Sequence, residues 1–128
     1  MSKKVIIHEK SDMCKGQLRS VHDTLDLLSG KWKISIISSL SFSGKRRFME
    51  LQRDVEGVGA KMLSKELKEL EINELVIRTV YDTKPVTVEY ALTPYGKTLQ
   101  AVIHEMSKWG SLHRKRIIKQ LNDKSKAA

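Results

Sequence analysis

The segment 60–73 sorts its side chains onto two faces when it is drawn as a helix. At about 100° per residue, Leu63, Leu67 and Leu70 fall within about 60° of one another, on the side expected to be buried. The opposite face carries hydrogen-bond donors, namely Lys61, Ser64, Lys65 and Lys68. A helix that reads the major groove of DNA needs this division, because one face docks on its domain while the other meets base edges and phosphates. A solvated amphipathic helix shows the same pattern, and the glutamates of this segment keep that alternative open.

Further basic residues flank this segment and extend the candidate surface. Arg46 and Arg47 precede a short predicted helix, where their side chains and the first-turn amides are placed to meet phosphates. Lys84 lies at the tip of a predicted β-hairpin, from which it can enter a minor groove. Arg78 lies within a predicted strand, so it either contacts DNA or pairs with Glu89 across the hairpin. Each of these residues is also compatible with a solvated surface charge.

The composition favours a polyanionic partner. The 128 residues include 24 Lys and Arg against 15 Asp and Glu, a formal net charge of +9, and nucleic acid is the first partner that such a field attracts. The length fits one domain. Charged and polar residues interrupt every hydrophobic run before the roughly 18 residues of a membrane span, and residues 1–13 lack the pattern of a signal peptide. We therefore expect a cytoplasmic, nucleoid-associated protein without a membrane partner.

The hydrophobic periodicity predicts the elements that position these residues. Apolar residues recur at helical spacing in five segments: residues 17–30, 31–41, 48–55, 60–73 and 94–121. Residues 76–92 instead alternate β-branched and polar side chains about a turn at 82–85, which predicts a β-hairpin. A helix, a tight turn at 57–59, a second helix and then a hairpin form the winged helix-turn-helix arrangement.

The predicted fold class is mainly α-helical, a winged helix-turn-helix with a small β-hairpin wing and a long C-terminal dimerisation helix. We divide the chain into a flexible N-terminal arm at 1–13, a single domain at 14–121 and a disordered tail at 122–128. The final helix carries more apolar surface than so small a domain can cover. This excess predicts a homodimer that buries residues of the first and last helices: Leu18, Val21, Leu25, Leu99, Val102, Ile103, Met106 and Trp109. The alternative is that the last helix packs back on its own domain.

Cys14 is the only cysteine of the sequence, which rules out an internal disulfide and a structural zinc site. It lies close to the expected dimer surface, and the neighbouring Lys10, Lys15 and Arg19 favour its reactive thiolate form. Redox sensing and a bystander thiol are both compatible with this placement, and we favour the bystander. The four histidines show no metal-binding spacing. With no evident nucleophile, phosphate-binding loop or acid–base pair, we expect no enzyme activity, no metal and no cofactor.

Five motifs occur in order along the chain. They are Gly30-Lys31-Trp32, Arg47-Phe48-x-Glu50-Leu51, Lys61-Met62-Leu63-Ser64-x-x-Leu67-x-Glu69-Leu70-Glu71, Leu75-x-x-Arg78-x-Val80-Tyr81 and Val88-Glu89-Tyr90-x-Leu92-Thr93-Pro94-x-Gly96-x-x-Leu99. Over about residues 14–110, this set closely resembles the HxlR family of bacterial transcriptional regulators, relatives of the MarR group. The resemblance implies a homodimeric winged-helix regulator of its own or a nearby promoter, with the donor face of segment 60–73 on the recognition helix and Lys84 near the wing tip.

The chain departs from that family pattern at three points. In many members that sense electrophiles or oxidants, proline follows an N-terminal cysteine, whereas Lys15 follows Cys14 here. Gly59 stands where serine or threonine often caps the recognition helix. Asn73-Glu74 replaces the common Asp-Gly after that helix, which leaves Asn73 as the residue that tolerates a left-handed conformation.

These observations predict a transcriptional regulator that binds a pseudo-palindromic double-stranded DNA operator as a homodimer, without catalysis. Two alternatives stay open. One is a redox- or electrophile-responsive regulator that uses Cys14, and the other is a winged-helix module that binds RNA or an acidic protein. A small-molecule or oxidant effector is compatible with the prediction, and the sequence does not identify one.

Overall fold

A computed structural model describes the backbone of residues 2–127 and the side chains of residues 12–127. Within this part of the chain the elements are α1 (Ser2–Leu27), α2 (Lys33–Ser43), β1 (Arg46–Arg47), α3 (Phe48–Asp54), α4 (Ala60–Ile72), β2 (Val76–Tyr81), β3 (Thr87–Leu92), α5 (Pro94–Lys97) and α6 (Leu99–Ala127). The order confirms the predicted winged helix-turn-helix fold. Helices α3 and α4 form the helix-turn-helix, and the β2–β3 hairpin forms the wing.

The wing belongs to a small antiparallel sheet with the strand order β1-β3-β2. Strands β2 and β3 pair along their full length, in a register that places Val76 opposite Leu92. Strand β1 adds only Arg46 and Arg47 to the other edge of β3. Strand β1 is not predicted from the sequence, because two residues are too few to show an alternating pattern.

The hydrophobic core lies where α2, α3 and α4 meet the sheet. Its fully buried side chains come from these helices and from the start of the wing: Ile36, Ile37, Leu51, Leu63, Leu67, Leu70 and Leu75. Leu28 and Leu99 anchor the end of α1 and the start of α6 to this core. Because the three leucines of α4 share one face of the helix, the core determines which face of α4 turns outward.

Helix α4 ends in a Schellman motif that sets the start of the wing. The Leu75 N–H donates to the Leu70 carbonyl oxygen at 3.0 Å, and the Glu74 N–H donates to the Glu71 oxygen at 2.9 Å. Glu74 has a φ of 60°, whereas Asn73, the C-cap, has a φ of −85°. Asn73 is the residue that tolerates a left-handed conformation, but Glu74 adopts it, because this motif places the left-handed residue one position beyond the C-cap.

Thr93 and Gly96 fasten the end of the wing to this junction. The Thr93 hydroxyl donates to the Glu74 carbonyl oxygen at 2.6 Å and accepts the Gly96 N–H at 2.9 Å. A Cβ atom added to Gly96 would lie 2.0 Å from the Leu75 carbonyl oxygen. Only glycine permits this close approach of α5 to the start of β2, which explains the glycine of the last motif.

The two ends of the chain differ from the sequence expectation in secondary structure. Helical backbone covers residues 2–13, where an arm was predicted, and α6 continues to Ala127 through the segment predicted as a tail. Neither segment contains a proline or glycine that would stop a helix. The side chains of residues 1–11, Lys10 among them, lie outside the described part of the structure, and the division into arm, domain and tail stays a prediction.

The predicted final helix is divided into two at Thr98, where α5 ends and α6 begins. Along residues 2–127, no helix combines the length and apolar character needed to cross a bilayer.

Candidate nucleic-acid interface

The two predicted faces of α4 are present in the structure. Leu63, Leu67 and Leu70 are at most 1% exposed. The predicted donors are all exposed: Lys61, Ser64, Lys65 and Lys68. No ion pair among the described side chains engages these three lysines. Gly59 precedes α4 without a side-chain cap, so the N–H groups of the first turn keep their donor capacity.

A buried ion-pair cluster holds the inner side of α4 against α2. The Lys33 Nζ atom lies 2.6 Å from Glu66 Oε2 and 2.5 Å from Glu69 Oε2. Lys33 and Glu66 are only 5% and 6% exposed. Burial alone would lower the pKa of Lys33, but the two carboxylates raise this pKa above its ordinary value. Lys33 in turn lowers the pKa of Glu69. This cluster is not evident in the sequence, because its members lie on different helices.

Arg46 is held by acidic residues of α3. Its Nε and Nη2 atoms donate to the Asp54 carboxylate at 2.8 and 2.9 Å, and its Nη1 atom donates to Glu50 Oε2 at 2.9 Å. The Ser39 hydroxyl of α2 donates to the same Asp54 carboxylate at 3.0 Å. The hydrogen bonds from Arg46 lower the pKa of Asp54. This geometry corrects the sequence prediction. A free cation for phosphate was expected at Arg46, whereas its guanidinium group joins α2, β1 and α3 through hydrogen bonds.

Arg47, the N-cap residue of α3, and Arg53, in the last turn of α3, are cations without an ion pair in the described structure. The Arg47 N–H donates to Glu50 Oε1 at 3.0 Å, but its side chain is exposed. Glu89 lies opposite Arg47 in the β1–β3 ladder and forms no ion pair with it. Arg53 is not among the contact residues predicted from the sequence. Its position about 200° around the helix from the buried Leu51 is the signal that predicts its exposure.

The wing carries Lys84 and Arg78 on its exposed surface. Lys84 lies in the turn between β2 and β3, as predicted. Arg78 lies opposite Tyr90, whereas Thr79 lies opposite Glu89. Because neighbouring residues of a strand point to opposite faces, this register separates the side chains of Arg78 and Glu89. The cross-strand pair is therefore excluded, and Arg78 stays a candidate for DNA contact.

Comparison with known proteins assigns this arrangement to a family. The family model described as HxlR-like helix-turn-helix matches residues 27–118. The chain belongs to this HxlR-like family. The HTH-type transcriptional regulator YybR of Bacillus subtilis is 38% identical over 114 residues, which cover 89% of this chain and 86% of YybR.

Solved structures of a redox regulator and of a MarR-family regulator share the fold. The redox regulator HypR in its reduced form is 39% identical, with a TM-score of 0.70 over 74% of this chain and 93% of HypR. A MarR-family transcriptional regulator from Enterococcus faecalis V583 is 32% identical, with a TM-score of 0.71 over 80% of this chain and 92% of that protein. The expected resemblance is confirmed, and the chain is a transcriptional regulator of the helix-turn-helix type.

Helices α1 and α6 of this HxlR-like protein carry apolar stripes that continue out of the core. On α1 the stripe leads from buried Leu28 to exposed side chains: Leu25, Val21 and Leu18. On α6 it leads from Leu99 and half-buried Ile103 to exposed side chains: Val102, Met106 and Trp109. Leu99 is 8% exposed and belongs to the protomer core. Its predicted place on a dimer surface is corrected, because α6 still packs on the core at its first residue.

Cys14 is an exposed free thiol on α1. It lies four residues before Leu18 and seven before Val21, so it continues the apolar stripe of α1. Among the side chains that the structure describes, no cluster of three or more His, Cys, Asp or Glu is placed to hold a metal ion.

Proposed function

We propose that this protein binds double-stranded DNA sequence-specifically and regulates transcription as a homodimer on a pseudo-palindromic operator. The observation that supports this is the division of α4. Its inner face is engaged by the core and by Lys33, while its outer face offers exposed donors that form no ion pair within residues 12–127. Such a helix can enter a major groove without giving up the contacts that hold it. Ser64 and Lys65 are the proposed base contacts.

The wing and the other α4 lysines complete the proposed interface. Lys61 and Lys68 flank the base-reading pair and are assigned to phosphates. Arg78 and Lys84 are assigned to the backbone or minor groove beside the major groove that α4 enters. The relatives are transcriptional regulators, and we propose a cytoplasmic site of action at the nucleoid with no catalytic activity.

The proposed dimer is supported by the apolar stripes of α1 and α6. Leu18 and Trp109 are 56% and 67% exposed in the single chain. Association of two copies removes such surface from water, which is the main favourable contribution to most protein–protein contacts. A two-fold axis then presents two α4 helices to major-groove segments about 34 Å apart, which is one turn of DNA.

Selection of bound fragments from the source genome with purified protein tests this function. We expect the fragments to share a motif with two-fold symmetry and to stay bound at moderate salt, since purely electrostatic binding falls steeply as salt rises. Sedimentation at micromolar concentration is expected to give twice the chain mass of 14.6 kDa. Fragments without a common sequence, stronger binding to single-stranded RNA than to duplex, or a monomer mass would contradict the proposal.

A second candidate function is thiol-based control of DNA binding. The position of Cys14 on the exposed stripe of α1 favours it, because the proposed dimer brings this face close to a second copy. HypR, which is 39% identical, is described as a redox regulator. With no other cysteine in the sequence, a reversible disulfide must join two chains or a small thiol. A Cys14–Cys14 bond also requires the two Cα atoms to come within about 7 Å.

Titration of wild type and Cys14→Ser with peroxide or a quinone distinguishes the two roles of the thiol. Both proteins are expected to bind the operator equally before treatment. Release confined to the wild type, and reversed by a reducing thiol, supports the sensor. An identical response of the two proteins supports a bystander thiol.

A further inference from the structure

A cleft of about 710 Å³ separates α3 from the tip of the wing, where the turn leads into β3. Its walls include Arg47, Phe48, Met49, Arg53, Val86 and Val88. We propose that this α3–wing cleft binds the sugar-phosphate backbone of DNA, with Arg53 as a phosphate contact that the sequence analysis did not include. The inference rests on the proposed function and adds to it the path of one DNA strand between α3 and the wing.

The charges around the cleft favour an anion. Glu50, the carboxylate on its wall, accepts hydrogen bonds from the Arg46 side chain and from the Arg47 N–H. Asp54, the neighbour of Arg53, is bound by Arg46 through both carboxylate oxygens. Glu50 and Asp54 are thus compensated by Arg46, which lies outside the cleft lining, whereas Glu89 lies opposite Arg47 in the β1–β3 ladder and forms no ion pair with it. The guanidinium groups of Arg47 and Arg53 are left without an ion pair in the described part of the chain.

The shape and polarity of the cleft fit a nucleic-acid backbone better than a free anion. Met49 and Val86 are 65% and 60% exposed where they border it. A DNA strand alternates phosphates with sugars, so it offers apolar contacts to these side chains and charge to the arginines. A guanidinium can donate two parallel hydrogen bonds to one phosphate. Lys84 at the wing tip continues the positive charge beyond the cleft.

The salt dependence of binding tests the cleft. Wild type and variants are titrated with a selected operator fragment and with a random duplex of equal length. Arg53→Gln is expected to lower the slope of log K against log salt by about one for each cleft engaged, and to weaken both duplexes by the same factor. Arg53→Lys keeps the positive charge and is expected to keep the slope. Lys115→Gln removes one charge from the exposed surface of α6 and serves as the matched control with an unchanged slope.

The outcomes separate failure of the cleft from failure of the proposed function. An unchanged slope for Arg53→Gln, while wild type binds duplex, overturns the cleft alone. A loss of affinity for the operator alone also overturns the proposed cleft, because a backbone contact does not distinguish sequences. Arg53→Gln is expected to melt at the wild-type temperature, since this side chain is exposed. If both Arg53 variants melt at a lower temperature, Arg53 contributes to the stability of the fold and the proposed phosphate contact is overturned. A wild type without affinity for any duplex refutes the proposed function itself.

Discussion

The two faces of α4 use charged residues for opposite purposes. On the inner side, Glu66 and Glu69 bind Lys33 of α2, and both Lys33 and Glu66 are almost closed to water. On the outer side, three lysines are exposed and form no ion pair with any side chain that the structure describes: Lys61, Lys65 and Lys68. The inner charges fix the position of the helix, and the outer charges remain available to a partner. Burial and partners, more than residue type, therefore distinguish a structural charge from a binding charge.

Two adjacent arginines repeat this contrast on a smaller scale. The guanidinium group of Arg46 donates hydrogen bonds to Asp54 and Glu50, whereas the side chain of Arg47 is exposed. Their directions differ because successive residues of β1 point to opposite faces of the sheet. One arginine binds the acidic residues of α3, and the guanidinium group of the next is exposed to solvent.

Removal of Lys33 is the strongest test of the inner face. Lys33→Met leaves Glu66 buried without its counterion, so we expect the free energy of unfolding to fall by about 3 kcal/mol. Chemical denaturation measures this change. The double variant Lys33→Met with Glu66→Leu removes both buried charges and is expected to recover most of the loss. A single variant as stable as wild type would show that the cluster does not hold α4.

Removal of Lys65 is the matching test of the outer face. Lys65→Ala is expected to leave the free energy of unfolding within about 0.5 kcal/mol of wild type, because the side chain is exposed. Its discrimination between operator and random duplex is expected to fall by about 1–3 kcal/mol. Lys84→Ala is the control for a backbone contact and is expected to weaken both duplexes alike. If Lys65→Ala and Ser64→Ala both keep the affinity and specificity of wild type, the residues that contact the bases lie on another element.

Acid titration tests the Arg46 cluster. The hydrogen bonds from Arg46 hold the pKa of Asp54 below its ordinary value of 3.8 in the folded protein. Because the folded pKa is the lower one, the stabilisation is present above the ordinary value and is lost as the pH falls through the folded pKa. Asp54→Asn is therefore expected to melt below wild type at about pH 6, with the difference shrinking below about pH 4. A difference that stays constant with pH would mean that the charge of Asp54 does not contribute.

The fold follows from the sequence where its determinants are local. The leucine spacing of segment 60–73 predicts a helix that the structure places at Ala60–Ile72, and the alternation over 76–92 predicts the wing. The same spacing correctly divides α4 into a buried and an exposed face. Strand β1 is not predictable in this way, because it exists only through its pairing with β3.

The parts of the site that depend on distant partners were not predictable. The buried partner of Glu66 is Lys33, which lies on another helix and looks like a surface residue in the sequence. Arg46 and Arg47 look equivalent until the sheet orients them. Arg53 gives a weak signal because α3 has only seven residues, too few to show a clear period.

The smallest expected effect concerns the end of α4, where a change leaves both faces of the helix in place. Glu74 has a φ of 60°, which costs a non-glycine residue about 1–2 kcal/mol, while glycine adds about 0.5–1 kcal/mol of unfolded-state entropy. Glu74→Gly is therefore expected to raise the free energy of unfolding by about 0.5 kcal/mol. Asn73→Gly is the matched control and is expected to lower it, because Asn73 has a negative φ and its Nδ2 atom donates to the Glu69 carbonyl oxygen at 3.1 Å. Neither variant is expected to change DNA discrimination, because the outer face of α4 is untouched. A stabilising Asn73→Gly together with a destabilising Glu74→Gly, measured by thermal denaturation, would contradict the Schellman geometry that joins α4 to the wing.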